Sequence, residues 1–443
     1  MQIRLRESLI TRTLVLPIQE FIHIQGVSSI VLLGAAIVAL VWANSPWSGS
    51  YHHIWELELS VYRIELPIHA WINDALMAIF FFLVGMEIKH EIVHGELHNL
   101  RQASLPIVGA LGGMIVPALL YMAFNLGRPG QHGWGVPMAT DIAFSLGVLG
   151  MVKGIPSKLK VFLLTLAIAD DIGAIMVIAF FYTGELHVKA LFFGAFFVLG
   201  MLLLNRIGVT RQIAYVILGI MFWVAMLRSG IHATIAGVIL GFMVPTTPRL
   251  SLDEFQDIGS DMMARFRQAR EVHDSPMAYR LLGSFEQLLH ATESDSERLT
   301  RKLNDWVSFI VLPLFALSNA GVTFSPQVAR GVLTSPIAWG IVTGLLLGKP
   351  IGIVLFSWLA VRTGIARLPS SVSWLQMIAV GILAGIGFTV SIFISSLAFD
   401  DALHLMEAKT AVLAASVVAG IAGYFALRHE AGRDDPTEQI AAR

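Results

Sequence analysis

Two adjacent carboxylates lie in the middle of one of the most apolar stretches of this sequence. Residues 161–183, VFLLTLAIADDIGAIMVIAFFYT, carry no charge except Asp170 and Asp171 at the centre. Because about 20 apolar residues cross the hydrocarbon core of a bilayer, both aspartates are predicted near its midplane. A single carboxylate at that depth costs roughly 2.5 to 3.5 kcal/mol, so two side by side predict an ion or proton site.

A lysine lies at the centre of a second apolar stretch, PIAWGIVTGLLLGKPIGIVLFSWL. Glycines at positions 340, 344, 348 and 352 recur every fourth residue and give this predicted helix a smooth face for another backbone. Lys349 at midplane needs a partner or a cavity, and either Asp170 or Asp171 is the predicted counter-ion.

Two further apolar segments are interrupted where a membrane helix would break. GWGVPMATDIAFSLGVLG holds Gly135 and Pro137 before Thr140 and Asp141, and LQMIAVGILAGIGFTVSIFISSLA has three glycines at its middle. Interrupted segments at corresponding places in two halves predict a transporter with inverted repeats and broken helices. Broken helices expose partly positive N–H ends and partly negative C=O ends. Asp141 is predicted to balance the partly positive N–H ends, and Lys349 the partly negative C=O ends.

A competing motif is HEIVH, which runs from His90 to His94 and matches H-E-x-x-H. On a helix this spacing puts two imidazoles on one face as zinc ligands, with Glu91 as general base, so an intramembrane metalloprotease is an alternative. The motif is predicted at the end of a span, running out into a loop, which argues against that alternative. An aspartyl intramembrane protease is disfavoured because Phe388 follows the glycine pair where G-x-G-D requires aspartate.

The elements that must position these residues are membrane helices. The 443 residues are 56% apolar and only 14% charged, and the mean hydropathy is +0.71, which is typical of a helical integral membrane protein. The near-zero net charge argues against a nucleic-acid partner, and the absence of cysteine excludes disulfides.

About twelve spans are predicted, over residues 26–43, 70–91, 104–125, 133–150, 161–183, 190–205, 212–227, 231–245, 306–323, 336–359, 375–398 and 408–427.

The basic residues support this topology. With the N-terminus inside, 23 of the 30 Lys and Arg residues fall in cytoplasmic segments, as the positive-inside rule requires. Both termini are therefore predicted cytoplasmic. The chain divides into an amphipathic N-terminal segment (1–25), spans one to eight (26–245), a polar cytoplasmic insert (246–305), spans nine to twelve (306–427) and a charged, disordered tail (428–443).

Two smaller features lie outside the spans. Residues 56–66, ELELSVYRIEL, alternate polar and apolar side chains and predict an external β-hairpin, whose exposed edge is suited to pairing with a second copy in a homodimer. Within the insert, two stretches have apolar residues at helical spacing and are separated by Asp274, Ser275 and Pro276, which predicts a helical hairpin.

Several motifs together resemble the NhaA family of sodium/proton antiporters. They are WINDALMAIFFFLVGMEIKHE, PMATDIAFSLGVL, FLLTLAIADDIGAI, GIHATIAGVILGF, LPLFALSNAGV, LLLGKPIGI and VGILAGIGFTVSIFISSLAF. The resemblance covers about residues 26–424 apart from the insert. It implies an all-α fold of twelve spans in the bacterial inner membrane, with two inverted repeats whose fourth and eleventh spans are unwound and cross at the midplane.

The resemblance also implies roles for particular residues. Asp171 matches the ion and proton carrier, Asp170 its neighbour, Thr140 and Asp141 the unwound stretch, and Lys349 the membrane lysine. Glu87, Lys89 and Glu91 resemble a pH-responsive funnel, and His232 matches a histidine linked to the pH response. His90 stands where arginine is usual, and histidine titrates near neutral pH whereas arginine does not, so a different pH window is expected. Thr300 and Arg301 stand where an acidic regulatory residue would be expected.

The expected mechanism is pH-dependent, electrogenic exchange of Na+, and of Li+ as a further candidate, for H+ without a cofactor. Na+ prefers oxygen ligands, which Asp170, Asp171, the Thr140 hydroxyl and freed carbonyls supply. Protons and Na+ compete for the same oxygens, and alternating access exposes the site to each side in turn. A sodium-coupled symporter for an organic solute is the main rival, but the residues around the aspartates are mostly Ala, Gly, Ile and Leu.

Overall fold

The chain folds into a bundle of helices with one small β-hairpin. The structure is a computed structural model and describes residues 16–61, 64–207, 212–248, 250, 252–271, 275–323, 331–369 and 372–433. The first elements are α1 (Leu16–Ala43), α2 (Ser48–Glu56), β1 (Glu58–Val61), β2 (Ile64–Pro67), α3 (Ile68–Val93), α4 (Leu100–Asn125), α5 (Ile142–Met151), α6 (Ser157–Phe181), α7 (Val188–Ile207), α8 (Gln212–Leu227) and α9 (Thr234–Met243). They are followed by α10 (Leu252–Glu271), α11 (Ser275–Thr292), α12 (Asp295–Trp306), α13 (Leu312–Asn319), α14 (Pro336–Arg362), α15 (Trp374–Ala384), α16 (Phe388–Ala398) and α17 (Ala402–Arg433).

The predicted all-α membrane fold is confirmed. Within the described residues, seven helices are long and apolar enough to cross a membrane: α1, α3, α4, α6, α7, α14 and α17 contain them. Two more spans are bent pairs, one formed by a 3-10 segment (Pro129–Met138) with α5 and the other by α15 with α16. The remaining predicted spans fall on the shorter apolar helices α8 and α9 and on α13 with the wide turn before it.

The glycine stripe of α14 forms the predicted smooth face. A side chain added at Gly348 would begin 2.8 Å from the Cα atom of Pro117 on α4, and Gly352 lies directly against the backbone of Gly112. The helix also contains one wide π-turn, Gly344–Gly348, just before Pro350, which lacks a backbone N–H. Helix α14 can therefore pack backbone to backbone against α4, and this contact fixes where Lys349 sits.

The predicted β-hairpin is present. Strands β1 and β2 pair antiparallel, with Glu58 opposite Pro67 and Val61 opposite Ile64. Residues 62 and 63, between the two strands, lie outside the described residues.

The polar insert contains three helices, one more than predicted. Helices α10 and α11 pack against each other through Phe255 and Phe285, whose ring centroids are 6.1 Å apart. Helix α12 was not predicted; a capping box between Ser294 and Glu297 starts it, and it leads through a π-turn (Val307–Val311) into α13. The ninth membrane helix therefore extends well beyond the predicted boundary at residue 306.

The helices at both chain ends run past the predicted spans. Residues 1–15 and 434–443 lie outside the described residues, and α1 begins at Leu16, within the predicted amphipathic N-terminal segment. Helix α17 continues to Arg433, so the tail predicted to be disordered from residue 428 is helical over its first residues. The terminal helices simply extend past their apolar stretches into polar sequence.

Candidate functional site

The two bent spans meet at their breaks. The 3-10 segment and α5 are bent by 43°, and α15 and α16 by 47°. At the breaks the Asp141 amide donates to the Ile386 carbonyl at 2.7 Å, and the Thr140 hydroxyl donates to the Ala384 carbonyl at 2.9 Å. Backbone groups that the interrupted helices cannot satisfy themselves are therefore satisfied across the crossing, as the broken-helix prediction requires.

Asp141 caps two half-helices at once. One carboxylate oxygen accepts from the Phe144 amide in the first turn of α5 at 3.0 Å. The other accepts from the Thr389 amide at 3.1 Å and from the Thr389 hydroxyl at 2.6 Å, in the first turn of α16. A negative group at a helix N-terminus satisfies free N–H groups and complements the helix dipole.

Lys349 forms an ion pair with Asp170. Both side chains are buried, and the ammonium donates to Asp170 Oδ2. The Thr140 hydroxyl also lies 2.8 Å from that oxygen. Asp170 Oδ1 is buried without a hydrogen-bond partner among the described residues. The structure thus selects Asp170 from the two predicted counter-ions, while leaving one of its oxygens available.

Asp171 faces a different environment from its neighbour. Consecutive residues on an α-helix point about 100° apart, so the two carboxylates of α6 cannot share one set of partners. Asp171 lines a cavity, and no described residue hydrogen-bonds its carboxylate. It is 6% exposed, against 1% for Asp170, so it is the more accessible member of the pair.

The cavity has a volume of about 630 Å³ and a strongly acidic lining. The titratable side chains on its wall are Glu87, His90, Glu91, Asp141, Lys160, Asp171, Glu297, Arg301 and Asp305. Six of these are carboxylates, and only Lys160 and Arg301 are permanently cationic. A concave site with an excess of one charge concentrates the opposite ion, so this cavity attracts cations.

The residues predicted to respond to pH lie in three different places. Glu87, His90 and Glu91 line the cavity, on one face of α3. Lys89 points elsewhere and donates to the Val244 carbonyl at 2.5 Å. The His232 ring hydrogen-bonds the backbone of Tyr182 and is not part of the cavity lining.

The H-E-x-x-H motif does not build a zinc centre. His90 and His94 stack with ring centroids 5.6 Å apart, at the end of α3. Throughout the described parts of the chain, no three His, Cys, Asp or Glu side chains are placed to hold a metal ion. Glu91 accepts a hydrogen bond from the Glu96 amide at 2.9 Å, which ends the helix locally.

Sequence reasoning missed two parts of this site. Thr389 lines the cavity and binds Asp141, although the two residues are 248 positions apart. Helix α12 contributes Ser296, Glu297, Thr300, Arg301, Asn304 and Asp305 to the wall, and of these only Thr300 and Arg301 were singled out from the sequence. A hydroxyl residue just after the Gly387 break is a helix-capping signal that pointed to Thr389, and the S-x-x-E box at Ser294 pointed to α12.

The same chain is similar to known proteins over nearly its whole length. The family model described as Na+/H+ antiporter 1 matches residues 19–427. The chain is 46% identical over 426 residues to the Na(+)/H(+) antiporter NhaA 2 of Syntrophotalea carbinolica, covering 94% of this chain and 97% of the relative. It is 45% identical over 424 residues to the Na(+)/H(+) antiporter NhaA of Oleidesulfovibrio alaskensis, covering 94% of each. It is 45% identical over 414 residues to the Na(+)/H(+) antiporter NhaA of Cupriavidus necator, covering 92% of this chain and 88% of the relative.

Proposed function

Since this chain belongs to the NhaA family of Na+/H+ antiporters and exchanges Na+ for H+ as a multi-pass membrane protein, we propose that Asp171 is the group that Na+ and protons share. The observation that carries the proposal is the contrast within the adjacent pair. Asp170 is held by Lys349 and Thr140, whereas the carboxylate of Asp171 faces the acidic cavity with no described hydrogen-bond donor.

Na+ is a hard cation and takes oxygen ligands, as other hard cations do in proteins. In this proposal Asp171 receives Na+ from the cavity, and Asp170 Oδ1 and the Thr140 hydroxyl complete the site with carbonyl oxygens of the broken helices. The partnerless oxygen of Asp170 supports this arrangement, because a buried acceptor that lacks a donor is satisfied by a cation. Lys349 supplies the counter-charge for Asp170.

Exchange follows from competition. A proton on the carboxylate pair removes the charge that binds Na+, and Na+ disfavours protonation, so loading one ion releases the other. Two adjacent carboxylates and a lysine titrate as a coupled set. Rocking of one repeat against the other then opens the site to each side in turn. Moving more protons inward than Na+ outward makes the cycle electrogenic, and each net charge draws about 2.3 kcal/mol per 100 mV of membrane potential. Li+, as a smaller hard cation, is proposed as a second substrate.

Regulation and assembly complete the proposal. Glu87, His90 and Glu91 change the charge of the cavity wall with pH and so set how strongly it attracts Na+, and Lys89 and His232 act on the same response from outside the wall. The open edge of the β1–β2 hairpin supports pairing of two copies into a homodimer. The protein lies in the bacterial inner membrane, with both termini in the cytoplasm.

The test is Na+-induced proton movement in proteoliposomes from pH 6 to 9, with the natural protein and with Asp171→Asn. The natural protein should move protons on addition of Na+, and Asp171→Asn should not. Asp171→Asn is nearly isosteric, and equal yield and unfolding temperature of the two proteins establish that folding is unaffected. Proton movement by Asp171→Asn at the natural rate would overturn the assignment of Asp171.

A further inference from the structure

The first turn of α16 contacts Asp141 through a single residue. The Thr389 amide and hydroxyl both donate to Asp141 Oδ2, at 3.1 and 2.6 Å, and Thr389 is only 2% exposed. The preceding amide, that of Phe388, is satisfied from another helix, by the Ser416 hydroxyl of α17 at 3.1 Å. The hydroxyl of Thr389 is therefore not needed to cap its own helix, and its partner is the buried carboxylate.

This contact matters because Asp141 is itself buried and negatively charged when it caps the two half-helices. A buried carboxylate needs donors that replace the water it has lost. Of the side chains described around it, Thr389 supplies the hydroxyl donor, and hydrogen bonds to an ionised acceptor are among the strong ones. The same side chain lines the cavity that reaches Asp171, so the contact lies at the edge of the ion path.

We propose that Thr389 is a positioning residue for exchange, whose hydroxyl fixes Asp141 to the first turn of α16 and so joins the N-termini of α5 and α16 beside the entering Na+. This inference rests on the proposed exchange at Asp171 and adds the group that holds the crossing of the two broken spans together. Without the hydroxyl, the Asp141 carboxylate keeps the Thr389 amide as its tie to α16. The two half-helices are then held together less firmly, and the Thr140 hydroxyl next to Asp141 is less well placed to bind Na+.

The experiment compares Thr389→Val, which keeps the shape and removes the donor, with Thr389→Ser, which keeps the donor. In the proteoliposome assay we expect Thr389→Val to raise the apparent KM for Na+ roughly tenfold, the effect of one charge-assisted hydrogen bond, with the maximal rate within about twofold. Thr389→Ser should restore the KM to that of the natural protein.

Ser395→Ala is the matched control. Ser395 lies on the same helix and is buried, and its hydroxyl donates to the Ser391 carbonyl at 2.8 Å, so the variant loses a hydroxyl from α16 without touching Asp141. It should show the natural KM. If Thr389→Val does not fold, Thr389→Cys takes its place, because a thiol is a weak donor, and the same direction of change is expected.

A double-variant cycle separates a contact with Asp141 from a general packing effect. If the hydroxyl acts through Asp141, Thr389→Val should add little to the KM of Asp141→Asn, whereas independent effects would multiply. The inference is overturned if the natural protein exchanges Na+ for protons while Thr389→Val matches it, or if Thr389→Ser is as impaired as Thr389→Val. Failure of the natural protein itself to exchange would instead contradict the proposed function.

Discussion

Lys349 is paired with Asp170 and not with the adjacent Asp171. Both partners are buried, and the ammonium shares Asp170 Oδ2 with the Thr140 hydroxyl. The pairing divides two chemically identical side chains into a fixed carboxylate and an available one. Every step of the proposed exchange depends on that division.

The ion pair makes a prediction about stability. Removing one member of a buried pair leaves an uncompensated charge and typically costs roughly 3 to 5 kcal/mol. We therefore expect Asp170→Asn and Lys349→Met each to lower the unfolding temperature of the detergent-solubilised protein at pH 7. The double variant should recover a large part of the loss, because neither charge is then unpaired. Purely additive losses in the double variant would contradict the pairing.

The cavity wall makes a prediction about charge. His90→Arg places a permanent positive charge on a wall where six of the nine titratable side chains are carboxylates. At pH 8.5 we expect the apparent KM for Na+ to rise roughly threefold, equivalent to about 0.6 kcal/mol of repulsion.

The matched control for His90 is His98→Arg. His98 is exposed in the loop after α3 and does not line the cavity, and salt screens the charge of an exposed group. It should leave the KM unchanged at pH 8.5. Equal effects of the two variants would contradict the prediction, because the charge at position 90 would then act independently of its place on the cavity wall.

The α4–α14 contact makes a prediction about packing. In Gly348→Ala the new methyl group would lie 2.8 Å from the Cα atom of Pro117, so the helices must separate. Overpacking of this kind costs about 1 to 3 kcal/mol, and the unfolding temperature should fall. Gly34→Ala, where the added methyl group meets nothing within 4 Å, should leave the temperature equal or slightly higher, since alanine favours the helix. A Gly348→Ala protein as stable as the natural one would contradict the close approach.

The sequence was sufficient to predict those features that depend on residues near one another. Each predicted span coincides with a helix or a bent pair, because long apolar stretches in a membrane have few alternatives to a helix. The break just after Pro137 and Met138, the break at Gly385, and the smooth glycine face of α14 follow from local backbone chemistry.

Features that depend on how helices are rotated against one another were beyond the sequence. Helical spacing fixes the angle between Asp170 and Asp171, but not which of them turns toward Lys349. The contact of Thr389 with Asp141 joins the two halves of the chain and has no local signature beyond a capping residue type. Helix α12 was not predicted because its polar sequence resembles the rest of the insert, although the capping box at Ser294 and Glu297 is visible in the sequence.

The central claim, that Na+ displaces protons from the site containing Asp171, is tested most directly by calorimetric Na+ titration of the purified protein in two buffers. The buffers should have the same pH but different heats of ionisation, so that any proton released contributes a buffer-dependent heat. For the natural protein, the account predicts a binding heat that differs between the two buffers. For Asp171→Asn, it predicts that this binding heat is absent. The same binding heat in both buffers, or an unchanged signal from Asp171→Asn, would contradict it.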